Sequence, residues 1–379
     1  MEKQYHSSVK NKTIVVKIID RYIIKKFLGT LAFMLVLLSI IVIVIDVQAK
    51  TPRIEANGFT VGYFLLHFYP FWMVYLIITF MSILVFISVI FFTSKMANNT
   101  EIVAIVSGGV SFHRFAKPYL IAALLLAFSA LAINHFILPW ANIQKNKLII
   151  YTMNAANKSK YTDNRQISTQ LSPDEYVFIN TFNPTENRGY GYMYQKFDKN
   201  KKLILQISAN DIVWVPEKKN YMLSTYYERK IGKNDSEIIS NGETKHQNLG
   251  GSPEEIFPSE LLGENKTTPN LIKFINHEKS KGNANIATYE NELHARSSMP
   301  LSIIILTFLA LSLSSQKKRG GLGANLAIGI SLAFVFVFSF EALKLVSASQ
   351  AISPLLAMWL PNIIFAPIAL YLYFKRANQ

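Results

Sequence analysis

The sequence contains no cysteine among its 379 residues. Disulfides and thiolate metal sites are therefore excluded, and any part of the chain outside the cytoplasm must hold together by packing alone. Charge is scarce as well, at 17% of residues against 50% hydrophobic ones. The charge that exists is lopsided, with 39 Lys and Arg against 24 Asp and Glu, a net +15. Nucleic-acid binding is one reading of that excess, but many of the positive charges flank apolar runs, where they set membrane orientation. No nucleic-acid partner is expected. Motifs for chemistry are lacking too. Gly232-Lys233 has no glycine five residues before Gly232, so there is no P-loop. His277-Glu278 opens like a zinc-protease motif, but position 281 is Lys. No Gly-x-Ser-x-Gly elbow occurs. No catalysis, cofactor or metal is expected of this chain.

What the sequence does have is long uncharged apolar runs at both ends, around a polar middle. A run of about 20 apolar residues crosses about 30 Å of hydrocarbon as a helix. Barrel strands would alternate instead. Six spans are expected, at about Phe27 to Ile45, Phe71 to Phe92, Tyr119 to Leu138, Met299 to Leu313, Ala324 to Val346 and Ala351 to Phe374. The last is expected to be broken up by Pro354, Pro361 and Pro367. The first run lacks a small-residue cleavage site and reads as an anchor that stays.

Short-loop charges set the orientation. Seven Lys and Arg precede span one, among them Lys17, Arg21, Lys25 and Lys26. Lys95, Arg114 and Lys117 lie between spans two and three, Lys317, Lys318 and Arg319 after span four, and Lys375 and Arg376 in the tail. Lys50 and Arg53 in the first loop oppose the trend. Positive-inside then puts both termini in the cytoplasm and the middle segment outside. The expected division is a membrane half over 1–140, an extracytoplasmic all-β domain over 141–297 that ends in helices, and a second membrane half over 298–379.

In the middle, four stretches rich in β-branched and aromatic residues read as strands: Glu175 to Phe182, Arg188 to Phe197, Leu203 to Val215 and Tyr221 to Ile231. Several short strands in one run point to a sandwich or jelly roll. From about Asn270 the spacing of Leu271, Phe274 and Ile275 is helical, and a second helix from Thr288 to Arg296 is expected to feed into span four.

The loop from Lys95 to Lys117 holds a short amphipathic helix, at about 98–108. Asn99 or Thr100 caps it, Glu101 favours its first turn, and Gly108-Gly109 ends it. Ile102, Val103, Ile105 and Val106 seek burial. The helix either packs under the bundle or docks a cytoplasmic partner. A docking helix would use Glu101, Ile102, Val103 and Ile105.

These parts, in this order, resemble the LptF/LptG family of lipopolysaccharide-export permeases over nearly the whole chain. The matching residues are Asp20-Arg21-Tyr22 before span one, Thr100 to Ile105 followed by Gly108-Gly109, and Tyr289, Glu292, Leu293, Arg296 and Pro300 leading into span four. The start resembles the G member more than the F member. The resemblance implies a permease subunit of an ABC transporter in the bacterial inner membrane. Its implied partners are a cytoplasmic ATPase dimer, a second homologous permease, a periplasmic jelly-roll bridge protein and lipopolysaccharide. It further implies that Glu101 lies on the helix that contacts the ATPase, and that basic residues at the outer end of span one, here Lys50 and Arg53, meet lipid phosphates. Phe178 and Leu205 are expected to line an acyl-chain groove in the β domain, unless they are simply its core. A membrane-anchored periplasmic receptor that binds a ligand without transport is the alternative. It would need neither six spans nor a docking helix. A lipoprotein-releasing permease would have four spans.

Overall fold

The computed structural model describes residues 18–154, 165–183, 186–232, 236–257, 262–281, 286–316 and 321–378. Lys17 and the cluster Lys317, Lys318 and Arg319, used above for orientation, lie outside these residues.

The first half is helical. Helix α1 (Ile18–Ala56) is followed by the short α2 (Val61–His67), α3 (Tyr69–Asn98), α4 (Glu101–Ser107) and α5 (Phe112–Ala132). A π-turn at Ile133–Ile137 carries α5 straight into α6 (Leu138–Asn154). Six strands come next: β1 (Arg165–Ser172), β2 (Glu175–Asn183), β3 (Arg188–Phe197), β4 (Leu203–Val215), β5 (Asn220–Ile231) and β6 (Glu237–Gln247). Short helices α7 (Pro253–Ile256) and α8 (Leu262–Asn265) lead to α9 (Thr268–Lys281), and then to α10 (Ile286–Ser314), α11 (Gly321–Ala348) and α12 (Pro354–Ala377). Among the described residues, six helical stretches are long and apolar enough to cross a membrane, with Phe112–Ile149 counted as one. The sheet falls between the third and fourth of them in the sequence. Both expected domain boundaries fall inside helices, since α6 runs on to Asn154 and α10 begins at Ile286.

Within lipid, helices gain nothing from apolar burial as such and associate through close packing. Buried Ala116, Ala122, Ala123, Ala127 and Ala130 on α5 allow close approach. Phe27 of α1, Phe92 of α3 and Tyr119 of α5 stack in series, with ring centroids 5.7 and 5.3 Å apart. Each such pair contributes about 0.5–1.5 kcal/mol beyond its area.

The prolines depart from expectation. Helix α12 is continuous. Pro354 sits in its first turn, where an N–H would have no helical partner, and Ser353 caps that turn by accepting from the Leu356 N–H at 3.4 Å. Pro361 and Pro367 lie inside the helix without ending it. A membrane bundle tolerates such residues when neighbours satisfy the freed backbone groups. Pro300 in α10 shows how. It leaves the carbonyl of Arg296 without a helical donor, and the buried Asn134 amide of the π-turn donates to that carbonyl at 3.3 Å.

The sheet is one antiparallel meander with strands in sequence order. One face carries the core: Val177, Ile179, Tyr192, Tyr194, Ile207, Ala209, Ile212, Tyr221 and Leu223, joined by Phe182, Leu249, Ile256 and Phe257. Alternation along β2, β3 and β4 is interrupted at one transverse line that continues through β5 and β6. Asn180, Gly191, Asn210, Thr225 and Glu243 lie on that line, and strand pairing skips each of them. Beside it, β1 slips register between Arg165 and Ile167. On each side of the line the inward residues have opposite parity: Ile179 and then Phe182, Tyr192 and then Gly189, Ala209 and then Ile212. The line is a crease. Gly191 is in the left-handed region, φ +67°, and a Cβ there would lie 2.5 Å from the Asn180 amide nitrogen. A side chain at this φ would be strained, and the Asn180 side chain would have to move to admit its Cβ.

Candidate functional site

The loop between α3 and α5 folds as expected into a short helix, α4, closed by Gly108 and by Gly109 at φ +85°. Thr100 occupies the N-cap position but makes no capping bond from its side chain. Its φ is +61°, and its hydroxyl donates to the Asn99 carbonyl at 2.6 Å.

The four expected docking residues separate. Ile102 is 2% exposed and belongs to the bundle core, so it offers nothing to a partner. Ile105 is half-buried against the same core. Val103 and Val106, one turn apart, are exposed. They are the apolar surface that α4 presents.

The Glu101 charge is engaged within the chain. Tyr22 Oη donates to Oε2 at 2.7 Å, Lys26 Nζ lies 3.4 Å from both carboxylate oxygens, and Asn99 Nδ2 donates to Oε1 at 3.3 Å. Partial burial pushes the Glu101 carboxyl up, but the bonds from Tyr22 and Asn99 and the charge of Lys26 outweigh it and hold it below the usual glutamate value. Asp20, two residues before Tyr22, is buried and takes a bidentate pair of bonds from Arg114 at 2.6 and 2.7 Å. The Asp20-Arg21-Tyr22 start thus meets the α4 loop at both of that loop's ends.

At the other end of α1, Lys50 and Arg53 lie inside the helix rather than in a loop. Lys50 pairs with Asp46 at 2.8 Å, and Asp46 also accepts from Tyr69 Oη at 2.8 Å. The Lys50 ammonium lies 4.7 Å from the centre of the Phe68 ring and 5.1 Å from that of Trp72. Lys50 is therefore boxed and charge-balanced. Arg53 is exposed.

The two expected groove residues do not share a face. Leu205 packs against the sheet core. Phe178 pairs with Met193, which pairs with Ser208, and these alternate with the inward Val177, Tyr194 and Ile207. Phe178 is on the outer face, because it is one residue out of phase with Val177 and Ile179. The inner positions are filled by the domain's own side chains.

Sequence reasoning passed over the junction beneath the sheet. Arg296 is 3% exposed. It bonds Glu292 at 3.0 Å, the Thr268 hydroxyl at 3.0 Å and the Gly263 carbonyl at 3.1 Å. His135 of the π-turn also meets Thr268 at 2.8 Å. Glu264 takes bonds from Asn146 at 2.7 Å and Lys145 at 3.4 Å. Arg296 thus fastens α8, α9, α10 and the third span together. Its place in the Tyr289 to Pro300 pattern was the signal available.

Residues 21–375 match the family described as lipopolysaccharide export system permease LptF/LptG. The chain belongs to that family. No curated protein matches it. As an LptF/LptG permease it is a multi-pass membrane protein with a role in lipopolysaccharide export, and it is a permease rather than a catalyst. The match covers all six apolar helices except the first residues of α1 and the last of α12.

Proposed function

We propose that this permease is a membrane subunit of an ABC-type exporter in the bacterial inner membrane. A separate cytoplasmic ATPase dimer supplies the energy, a second homologous permease completes the membrane part, and a periplasmic bridge of jelly-roll type receives the lipopolysaccharide. The observation that carries this is α4. It is a short helix between two spans, on the side opposite the sheet, with Val103 and Val106 facing outward. A receptor without transport has no use for such a surface. Helix α1 supports the companion permease, because its most apolar stretch is almost wholly unburied within the chain.

Lipid meets the outer end of α1 first. There Arg53 presents a cation beside the boxed Lys50, at headgroup depth. The acyl chains then enter the inner face of the sheet, past Leu205, Ile207 and Val177. Because that face is packed with its own side chains, the domain has to open to admit them.

Co-purification tests the reading directly. The full chain, expressed with its native neighbours, should bring down an ATPase subunit with a P-loop. Its absence under gentle solubilisation would favour the receptor. A photo-crosslinker at 205 should capture lipopolysaccharide only during ATP turnover, one at 53 should capture it without ATP, and one at 178, on the outer face, should capture none.

A further inference from the structure

Glu101 sits where a partner's cation would be expected to reach it, yet its carboxylate is already satisfied by α1. Tyr22 and Lys26 hold it, and the Lys26 ammonium also lies 4.5 Å from the centre of the Tyr22 ring. These partners are 79 and 75 residues away in sequence. The second tie, Asp20 to Arg114, spans 94 residues. Glu101 is the first residue of α4, and Arg114 is in the first turn of α5, just past the end of α4. The α4 segment is therefore bracketed by two charge-assisted ties to the first turns of α1. Above them, α1 buries Ile23, Phe27 and Leu31 and then no further residue until Ile54. The stretch between packs on the rest of the chain only through half-buried residues such as Met34, Leu38, Ile43 and Val47, and is braced near its outer end by Asp46 and Lys50.

We propose that Glu101 acts in cis, as a positioning residue that yokes α4 to the first span through Tyr22 and Lys26, with Asp20 and Arg114 as the second tie. Displacement imposed on the Val103 and Val106 surface is thereby delivered to α1, the span most open to lipid. The partner meets the valines, and the acid serves the span. This rests on the proposed function, because a driving partner must exist for the yoke to transmit anything. Spatial adjacency alone does not establish coupling, so the test measures it by charge exchange.

The test uses the full exporter, with ATPase and companion permease, reconstituted in liposomes. Each variant is first checked for co-purification of the ATPase, which examines the proposed function separately. Lipid transferred per ATP hydrolysed is then measured. Glu101→Lys and Lys26→Glu should each lower that ratio by about tenfold, within the ordinary range of coupling between sites. The double variant, with the two charges exchanged, should recover most of the loss. Tyr22→Phe, which keeps the ring and removes only the hydroxyl, should lower the ratio by about twofold without impairing assembly. A double variant no better than the worse single one would overturn the yoke. So would loss of the ATPase on Glu101→Lys but not on Lys26→Glu, since the acid would then belong to the partner.

Discussion

The two ends of α1 use the same three side-chain types in opposite arrangements. At the inner end a carboxylate, Glu101, takes a tyrosine hydroxyl at 2.7 Å and a lysine at 3.4 Å. At the outer end Asp46 takes a tyrosine hydroxyl and a lysine, each at 2.8 Å. The difference lies in which element owns the acid. At the outer end the acid and the lysine are both on α1, one turn apart, and the tyrosine comes from α3. That cluster braces the helix locally and sets its height against α3. At the inner end the tyrosine and lysine are on α1 and the acid is on α4. There the cluster joins two separate elements. One end anchors and the other transmits.

The comparison predicts different consequences for loss of each acid. Asp46→Ala leaves the buried Tyr69 hydroxyl and Lys50 without their acceptor, and should destabilise the chain by about 1–3 kcal/mol. Glu101→Ala should cost less, about 0.5–1 kcal/mol, because its cluster is more open to water. Thermal unfolding of the two variants in one detergent gives the order. A larger drop for Glu101→Ala would break the assignment of anchor and transmitter.

Acidity should act on the inner end in a defined direction. The Glu101 carboxyl is held below its usual value of 4.5. Its contribution is therefore complete above that value and is lost only as pH falls through the lower folded one. Spin labels at exposed positions 18 and 103 should keep one distance from about pH 8 to pH 5 and spread only below about pH 4. Spreading near neutrality would mean that another group holds α4 to α1.

At the outer end, Arg53→Gln should weaken capture of an anionic glycolipid about fivefold, which corresponds to roughly 1 kcal/mol for one cation at a charged surface. Lys50→Gln should weaken it by less than about twofold, because Asp46 already balances that charge. Binding to nanodiscs of defined anionic content measures both. A change of the opposite sign is expected at Thr100, where φ is +61°. Thr100→Asn, which tolerates the left-handed region, should raise stability by up to about 1 kcal/mol in the same thermal assay.

The six spans were legible because each is a long apolar run with few or no charges, Glu341 and Lys344 near the end of the fifth being the exception. The helices extend further than the runs, since they continue past the hydrocarbon and carry Asp20, Lys50 and Arg53 with them. Four strands were legible from their β-branched and aromatic residues. The other two were not. Strand β6, Glu237–Gln247, is exposed along almost all of its length and reads as polar loop. Strand β1, Arg165–Ser172, is the other edge and is similarly polar in sequence. The facing of Phe178 was missed because the crease reverses alternation partway along β2. The existence and end of α4 were written in Glu101 and Gly108-Gly109. The partner of Glu101 was not, because it lies more than 70 residues away and depends on how α1 packs.

The crease has a mechanical consequence for the sheet. A pleated sheet resists bending along its strands, because many dihedrals on every strand must change together. Here the irregular residues fall in one file, through Asn180, Gly191, Asn210, Thr225 and Glu243. Compliance is therefore concentrated on a single score line, and the two panels beside it keep their hydrogen-bond ladders as they swing. Glu228 on one panel grips Lys245 on the other, which sets the rest angle between them. Such a sheet has one soft direction and is stiff in the others. The angle between the two panels is then its one soft coordinate.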